Sequence, residues 1–476
     1  MINQNKQTQS AKSAISGSQR NYNEVVEFLD ARWSEQRTEK NLAIAKALDK
    51  ALGYPGKSVQ TVLVAGTNGK GLTINFAASL LKEEGLKVGG FYSPHVLTYN
   101  ERISLNNETI SNKTFTEIAN EVINAAAMND IKADSLDILT MIALLYFKQQ
   151  QVDLAICELS DSSLNHPLSL TNPQILAITR VTQDSSTIVD EKILEQEVLN
   201  LMKFVKETTY VVSADQSKAH LQLMLDETKR IGAQWSMPIR KLAPLRYPFE
   251  QLFGRCAALA ERIAQIHIDH FVNKNSLIAE NSLLAKQKGQ RGRPTLEKKR
   301  FDELNPRRTI EQFWKETNAT LPAHFEILDK EKPTILLDNA RNIDALKNLL
   351  LGIRLLHYQR PLKGLTFIFG CDKNRLHVDE FLRLLRYFSK KNSANVIFCP
   401  ISHSVPGVQT ESWDVEQITN DVKSLKIKAR SAKNFEEAFD SAKKSVDERH
   451  GLVVITGSPS IIAEYWHHKG IKKISQ

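Results

Sequence analysis

The 476-residue chain contains no run of 18 apolar residues, so nothing in it reads as a membrane-spanning helix. Its opening stretch, MINQNKQTQSAKSAISGSQRN, lacks the apolar core of a secretory signal. Residues 1–21 are therefore expected to form a disordered polar tail. Cysteine is scarce. Cys157, Cys256, Cys371 and Cys399 stand far apart with no C-x-x-C pair, which argues against a disulfide framework and against a zinc site. Buried thiols in a reducing cytosol suit them better, so a cytoplasmic protein is expected. No internal repeat is visible. Acidic residues are too few to balance the bases, and the formal charge is +9. The imbalance is local, because residues 286–308 hold nine Lys or Arg against three Asp or Glu, which is +6 of that total. No aromatic stacking pattern accompanies the charge, so this stretch reads as a solvated insertion or linker, with an RNA- or partner-binding arm as the alternative.

The most informative segment is residues 61–73, TVLVAGTNGKGLT. A β-branched apolar run of this kind fills a buried parallel strand. It leads directly into Gly66, Thr67, Asn68, Gly69, Lys70 and Gly71. Glycines there let the backbone turn sharply and gather N–H groups into one concavity, to which Lys70 adds a cation. A helix follows, and its positive end closes the same cradle. The common phosphate loop, G-x-x-x-x-G-K-[S/T], would need glycine where Val64 stands and a hydroxyl where Gly71 stands. This is a variant loop.

Residues 92–103 read YSPHVLTYNERI, a markedly polar loop after the next expected strand. Open α/β sheets bind their ligands at such strand ends. Together the G-T-N-G-K-G loop and the S-P-H…N-E-R-I loop resemble the Mur-ligase superfamily, and within it the folylpolyglutamate/dihydrofolate synthases. The resemblance implies an α/β fold, with a P-loop-type parallel-sheet ATPase domain and a smaller Rossmann-like C-terminal domain. It implies ATP and Mg²⁺ as cofactors, L-glutamate and a pteroate or folate as substrates, and a reaction that activates a carboxylate as an acyl phosphate. It further implies catalytic roles for Lys70, Glu158 and His95. Nucleotide contacts would come from Gly66, Thr67, Asn68, Gly69, Lys70, Gly71, Thr73, His324, Asp338 and Arg341. Ser93 and Glu158 would hold the metal. A monomer is expected, with no membrane or nucleic-acid partner, and the basic stretch would suit polyanionic folates.

Several positions depart from the family pattern. Leu72 stands where a serine hydroxyl is expected, and Thr73, one residue on, points about 100° away. Residues 159–170 have lost every family glycine and the arginine. Ser185 replaces a metal-binding histidine, and Leu201 overlays a lysine that becomes carbamylated, with Lys203 nearby. His324 and Arg341 stand where the family has arginine and histidine, and Cys256 where it has asparagine. Two readings therefore stay open: an active ligase, or a degenerate paralogue that binds nucleotide or folate as a regulator or scaffold.

The expected organisation is a tail at 1–21, an ATP-binding domain at 22–285, a basic linker at 286–319 and a ligase domain at 320–476. A helical lead-in is expected over 22–52. Strands are expected at 61–65, 87–92, 152–158, 174–181 and 209–213, with helices at 71–84, 113–127, 135–150, 192–206, 217–231 and 250–285. The second series places strands at 334–337, 365–370, 395–400 and 452–456, with helices at 343–356 and 377–389.

Overall fold

A computed structural model describes residues 19–33, 37–238, 249–272, 284, 313, 321–402, 405 and 411–472. The basic stretch 286–308 and most of the expected linker lie outside the described residues, as do residues 1–18 of the expected tail. Residues 20 and 21 belong to the fold. Arg20 exchanges two hydrogen bonds with Asn120, and Asn21 caps the helix Tyr22–Asp30 through a capping box with Glu24.

The first sheet consists of β1 (Thr61–Ala65), β2 (Val88–Phe91), β3 (Ile103–Leu105), β4 (Glu108–Thr109), β5 (Leu154–Glu158), β6 (Pro173–Ile178), β7 (Tyr210–Ser213) and β8 (Gln234–Ser236). They lie in the order β4-β3-β2-β5-β1-β6-β7-β8. All neighbours are parallel except β3 against β2 and β4 against β3. β1 and β5 are buried along their whole length, as continuous apolar runs require. Their side chains alternate between two cores. Val62 and Val64 meet the helices Lys70–Glu83 and Phe249–His270 on one face. Leu63 and Ala65 meet Asn112–Met128, Ser135–Gln149 and Glu191–Met202 on the other.

The second sheet contains β9 (Glu326–Leu328), β10 (Thr334–Asp338), β11 (Leu365–Phe369), β12 (Asn395–Phe398), β13 (Lys428–Ser431) and β14 (Leu452–Thr456), in the order β13-β12-β11-β14-β10-β9. Only β9 runs antiparallel to its neighbour. The helices Ile343–Gln359, Val378–Ser389 and Val415–Ser424 cover one face, and Phe435–Lys444 and Pro459–His468 the other. Among the described residues no helix is long and apolar enough to cross a membrane.

The expected β/α alternation is present in both halves, with corrections. Strands β8, β9 and β13 were not anticipated, and the helix expected over 250–285 ends at His270. The lead-in is not one helix: it breaks after Asp30 and restarts at Glu39, where Thr38 and Asn41 form a new cap. Strands β3 and β4 were not anticipated, although Asn106 and Asn107, both with positive φ, make the two-residue turn that such a pair needs. The strand expected to reach 181 ends at Ile178, because the chain beyond it turns to support the glycine loop. The helix expected to reach 206 stops at Met202, where Phe204 and Val205 turn into the core.

At the centre of the second domain Phe381 packs edge-on against Phe369 and Trp413, with ring centroids 5.2 and 5.1 Å away. Phe381→Ala should cost about 3–5 kcal/mol, as a large buried side chain lost from a close-packed site does. The second domain's denaturant midpoint should fall accordingly, with the first domain's transition unmoved.

Candidate active site

β1 lies between β5 and β6, so the loops leaving these three strands converge at one carboxyl edge. The loop after β1 makes the closest approaches. Gly66 has φ 115°, and a Cβ there would lie 2.3 Å from the Thr179 hydroxyl and 2.8 Å from the Arg180 carbonyl. Gly69 has φ 85°, and a Cβ there would meet the Cys256 sulfur at 2.8 Å. Only glycine fits either place. Thr67 fastens the loop from behind: its N–H donates to the Arg180 carbonyl, and its hydroxyl exchanges bonds with the Thr182 backbone. No described side chain caps the helix that begins at Lys70, so its first N–H groups face the loop.

Lys70 Nζ donates to the carbonyls of Gly66 (2.8 Å) and Thr67 (3.2 Å) and lies 3.6 Å from Glu158 Oε1. Both side chains are buried. Burial pushes the Lys70 pKa down, and the Glu158 charge opposes that shift. Burial pushes the Glu158 carboxyl up, and Lys70 opposes it in turn. Each ion is the other's main compensation. Gly71 carries no side chain to separate the helix end from Glu158, since a Cβ there would lie 3.8 Å from Glu158 Oε2. Thr73 is fully buried, and its hydroxyl donates to the Gly69 carbonyl at 2.8 Å. It braces the loop from inside rather than facing the cradle. Leu72 sits in the hydrophobic core.

The loop after β2 divides its labour. Glu101 accepts the N–H groups of Val96, Leu97 and Thr98, and Asn100 joins Tyr22 to the Ile110 carbonyl. These two residues build the loop. Ser93 and Arg102 face the site. The Ser93 N–H donates to Glu158 Oε2 at 3.2 Å, and its hydroxyl accepts from Arg102 Nη1 at 3.2 Å. Arg102, 1% exposed, also donates from Nε to His95 Nδ1 at 2.8 Å. Nδ1 is therefore the acceptor and Nε2 carries the proton. Burial and the Arg102 charge hold the His95 pKa well below its usual value. This position provides a neutral imidazole that orients a guanidinium.

The second domain presents three of the residues named from the sequence. Asp338 ends β10, and its carboxylate accepts the Phe325 N–H at 2.8 Å; burial raises its pKa to about 7. His324 donates from Nδ1 to the Pro322 carbonyl at 2.9 Å, and burial lowers its pKa, so it stands neutral where the family pattern has an arginine. Arg341 reaches Asp184 at 3.5 Å. Around it runs a polar clasp that local sequence does not betray. Asp184 also takes Asn342 (2.8 Å) and Arg375 (2.9 Å), Arg180 pairs with Asp344, and Asn68 of the glycine loop exchanges amide bonds with Asn342, both at 3.0 Å.

The other altered positions lie apart. Ser185 bonds to the Thr187 hydroxyl, and Leu201 is core. Lys203 is exposed and donates to Asn200 at 2.8 Å. The segment after Glu158 compensates for its missing glycines with side-chain turns: Asp161 accepts the Ser163 N–H, Ser163 the Asn165 N–H, and buried His166 the Leu168 N–H while meeting the Ser160 hydroxyl at 3.1 Å. A cavity of about 550 Å³ opens beside Ser93 and Arg102, walled by Trp33, Arg37, residues 160–164, Asn200 and Lys203. Arg37 and Trp33 gave no local sequence signal. Their partners are distant in the chain, at Asp134, Asp137 and Tyr99.

The donor set fits a nucleotide phosphate: a bare glycine cradle, uncapped helix amides and a lysine. It also fits one hard divalent ion that takes Glu158 and the Ser93 hydroxyl and completes its shell with phosphate and water. It does not fit a second ion held by protein alone. Among the described residues no three His, Cys, Asp or Glu gather to hold one.

A family model described as the C-terminal domain of dihydrofolate synthetase matches residues 323–467. The dihydrofolate synthase/folylpolyglutamate synthase of Bacillus subtilis (strain 168) is 25% identical over 460 residues, covering 92% of this chain and 98% of that protein. The folylpolyglutamate synthase of Lacticaseibacillus casei is 24% identical, over 74% of this chain and 81% of that one. Among solved structures, a Mycobacterium tuberculosis folylpolyglutamate synthase complexed with ADP superposes with a TM-score of 0.73 at 18% identity, over 96% of this chain and 99% of that one. A Yersinia pestis bifunctional enzyme complexed with AMPPNP and a Mn ion gives 0.70 at 20%, over 98% and 100%. These structures share its two-sheet architecture, the Mur-ligase fold. The chain is thus similar along nearly its whole length to folylpolyglutamate and dihydrofolate synthases, and its C-terminal part matches the family model of dihydrofolate synthetase.

Proposed function

We propose that this chain is an ATP-dependent ligase that joins L-glutamate to the carboxylate of a folate or pteroate. The observation that carries the reading is the buried Lys70–Glu158 pair, joined through Ser93 to a cavity whose wall includes Arg102. Phosphate chemistry and an acceptor pocket thus meet at one serine. The proposed division of labour has residues 22–285 bind the nucleotide phosphates and acceptor while residues 320–476 close over them.

In this reading the γ-phosphoryl group of ATP passes to a carboxylate oxygen and ADP departs. The glutamate amine then attacks the carbonyl carbon and loses its proton, the bond to the phosphate oxygen breaks, and amide and inorganic phosphate remain. Mg²⁺ at Glu158 and Ser93 would neutralise charge on the phosphates. Lys70 would exchange its two carbonyl bonds for phosphate oxygens, and the loop amides would hold them in place. Asp338 and Arg341 are the second domain's proposed nucleotide contacts. His324, neutral with its proton on Nδ1, would accept a hydrogen bond at Nε2. Ser93 keeps the acceptor beside the phosphates, which confines the reaction to a near-attack arrangement.

A binding protein without turnover remains a second reading because of one observation: Asp184, beside the altered Ser185, is fully engaged by Arg341, Arg375 and Asn342. Two measurements separate the readings. Lys70→Ala should weaken MgATP binding by at least about tenfold in calorimetry, because one charge-assisted phosphate contact carries about 1.5–3 kcal/mol. No ATP binding by the intact chain would end the ligase reading. With ATP, Mg²⁺, L-glutamate and an acceptor, a ligase should release ADP only when acceptor and amine are both present, and the product mass should rise by one glutamyl unit. Glu158→Ala should abolish that signal. ATP binding without any glutamylated product would leave the binding protein.

A further inference from the structure

The helices Ile343–Gln359, Val378–Ser389 and Val415–Ser424 cover the same face of the second sheet, and the first two are in contact. Each links two strands that run in the same direction, so each returns from the carboxyl edge and ends at the amino edge. Their C-terminal ends therefore lie on one side of the domain, away from the carboxyl edge that bears Asp338, Arg341 and Arg375.

Bases accumulate there. Residues 381–394, FLRLLRYFSKKNSA, hold four Lys or Arg and no acid, and residues 423–430, KSLKIKAR, hold four more and again no acid. Arg383, Arg386, Lys390, Lys391, Lys423 and Lys426 are exposed, and among the described residues none of the six is in an ion pair. Bases near a helix C-terminus are ordinary, since they meet the negative end of the helix dipole. The rings beside them have no such reason. Tyr358, one residue from the end of its helix, is 91% exposed, and Tyr387, two residues from the end of the next, is 57% exposed. Lys391 Nζ lies 5.2 Å from the Tyr387 ring centre and 3.4 Å from its hydroxyl. Tyr358 completes an outward stripe with Lys347, Leu351 and Arg354, at i, i+4, i+7 and i+11.

Unpaired bases call for a polyanion, and the rings decide which kind. An acidic peptide would use the charge and leave the tyrosines idle. An anionic membrane would need apolar side chains to insert, yet Phe381, Leu385 and Phe388, the apolar face of Val378–Ser389, are buried in the core. A duplex already stacks its base faces on one another. A single strand uses both features, with phosphates for the bases and open base faces for the rings. We propose that these helix ends form a docking surface for single-stranded nucleic acid, with Tyr358 and Tyr387 as stacking platforms and Arg383, Arg386, Lys390 and Lys391 on the phosphates. The expectation of no nucleic-acid partner rested on residues 286–308, whose bases carry no aromatic stacking pattern. This surface does carry one. It lies at the opposite edge of the sheet from Asp338 and Arg341, so it stands whether or not the chain is a ligase.

The test is fluorescence anisotropy of the full chain with a labelled oligouridine of about 16 nucleotides, the upper end of common single-strand sites. Binding should weaken with salt, the log–log slope being about −0.7 for each phosphate neutralised, or near −3 for four bases. Tyr358→Ala and Tyr387→Ala should each weaken binding at least about fivefold without changing that slope. Arg383→Ala with Lys390→Ala should flatten the slope by about 1.4. All four positions are exposed, so circular dichroism should show an unchanged fold. Replacing the Lys and Arg of residues 286–308 with serine should leave the tyrosine effect in place. Loss of all binding in that variant, with both tyrosine variants binding normally, would overturn the proposal. So would binding to a duplex of the same length, to anionic phosphatidylserine vesicles or to polyglutamate as tight as to oligouridine at the same salt. No binding to either oligouridine or oligothymidine at low salt would overturn it as well.

Discussion

The Lys70–Glu158 pair is the constraint around which the site is arranged. A lysine and a glutamate that have both left water are tolerable only together, and removing one partner of such a pair typically costs about 3–5 kcal/mol. The pair exists because β1 and β5 are neighbours in register, so the first residue of one helix and the last residue of a strand from far along the chain arrive at the same edge. Everything else at that edge is spacing for the pair. Gly71 keeps side chains out of the gap, Ser93 takes the second Glu158 oxygen, and Thr67 stops the loop from peeling away. In the proposed reading, an arriving polyanion would give Lys70 a better partner than two carbonyls, and Glu158 would be free to meet a divalent ion.

What the sequence revealed, it revealed through backbone chemistry. The glycine loop was legible because only glycine survives at Gly66 and Gly69, and the β/α alternation because buried parallel strands are unbroken apolar runs. The lead-in was misjudged as one helix, although the second cap at Thr38 is a local signal that was there to be read. The Asn106-Asn107 turn was equally readable. Arg37, Trp33 and Asp184 were not, because their roles depend on partners about 70 to 190 residues away along the chain. No window of sequence contains both halves of such an interaction.

The clasp between domains shows how an altered motif can still be a coherent one. Arg341 and Asn342 follow Asp338 directly off β10, and both reach Asp184, with Arg375 joining from the loop after β11. Asn68, in the glycine loop itself, is bonded to the same asparagine. The glycine loop and the second domain are therefore joined by direct contact.

The segment after Glu158 makes the same point at smaller scale. Losing its glycines removes conformations with positive φ, and a loop that depended on them would have to be rebuilt or abandoned. Here Asp161, Ser163 and His166 each accept a backbone N–H two residues ahead, which turns the chain by hydrogen bonding where glycine would turn it by lack of a side chain. His166 is fully buried, so this is a folded element with its own interior and not a slack replacement. It forms one wall of the cavity whose other walls carry Arg102 and Lys203. The rewritten loop has its turns supported by side chains, so it is a built wall of the cavity and not a slack one.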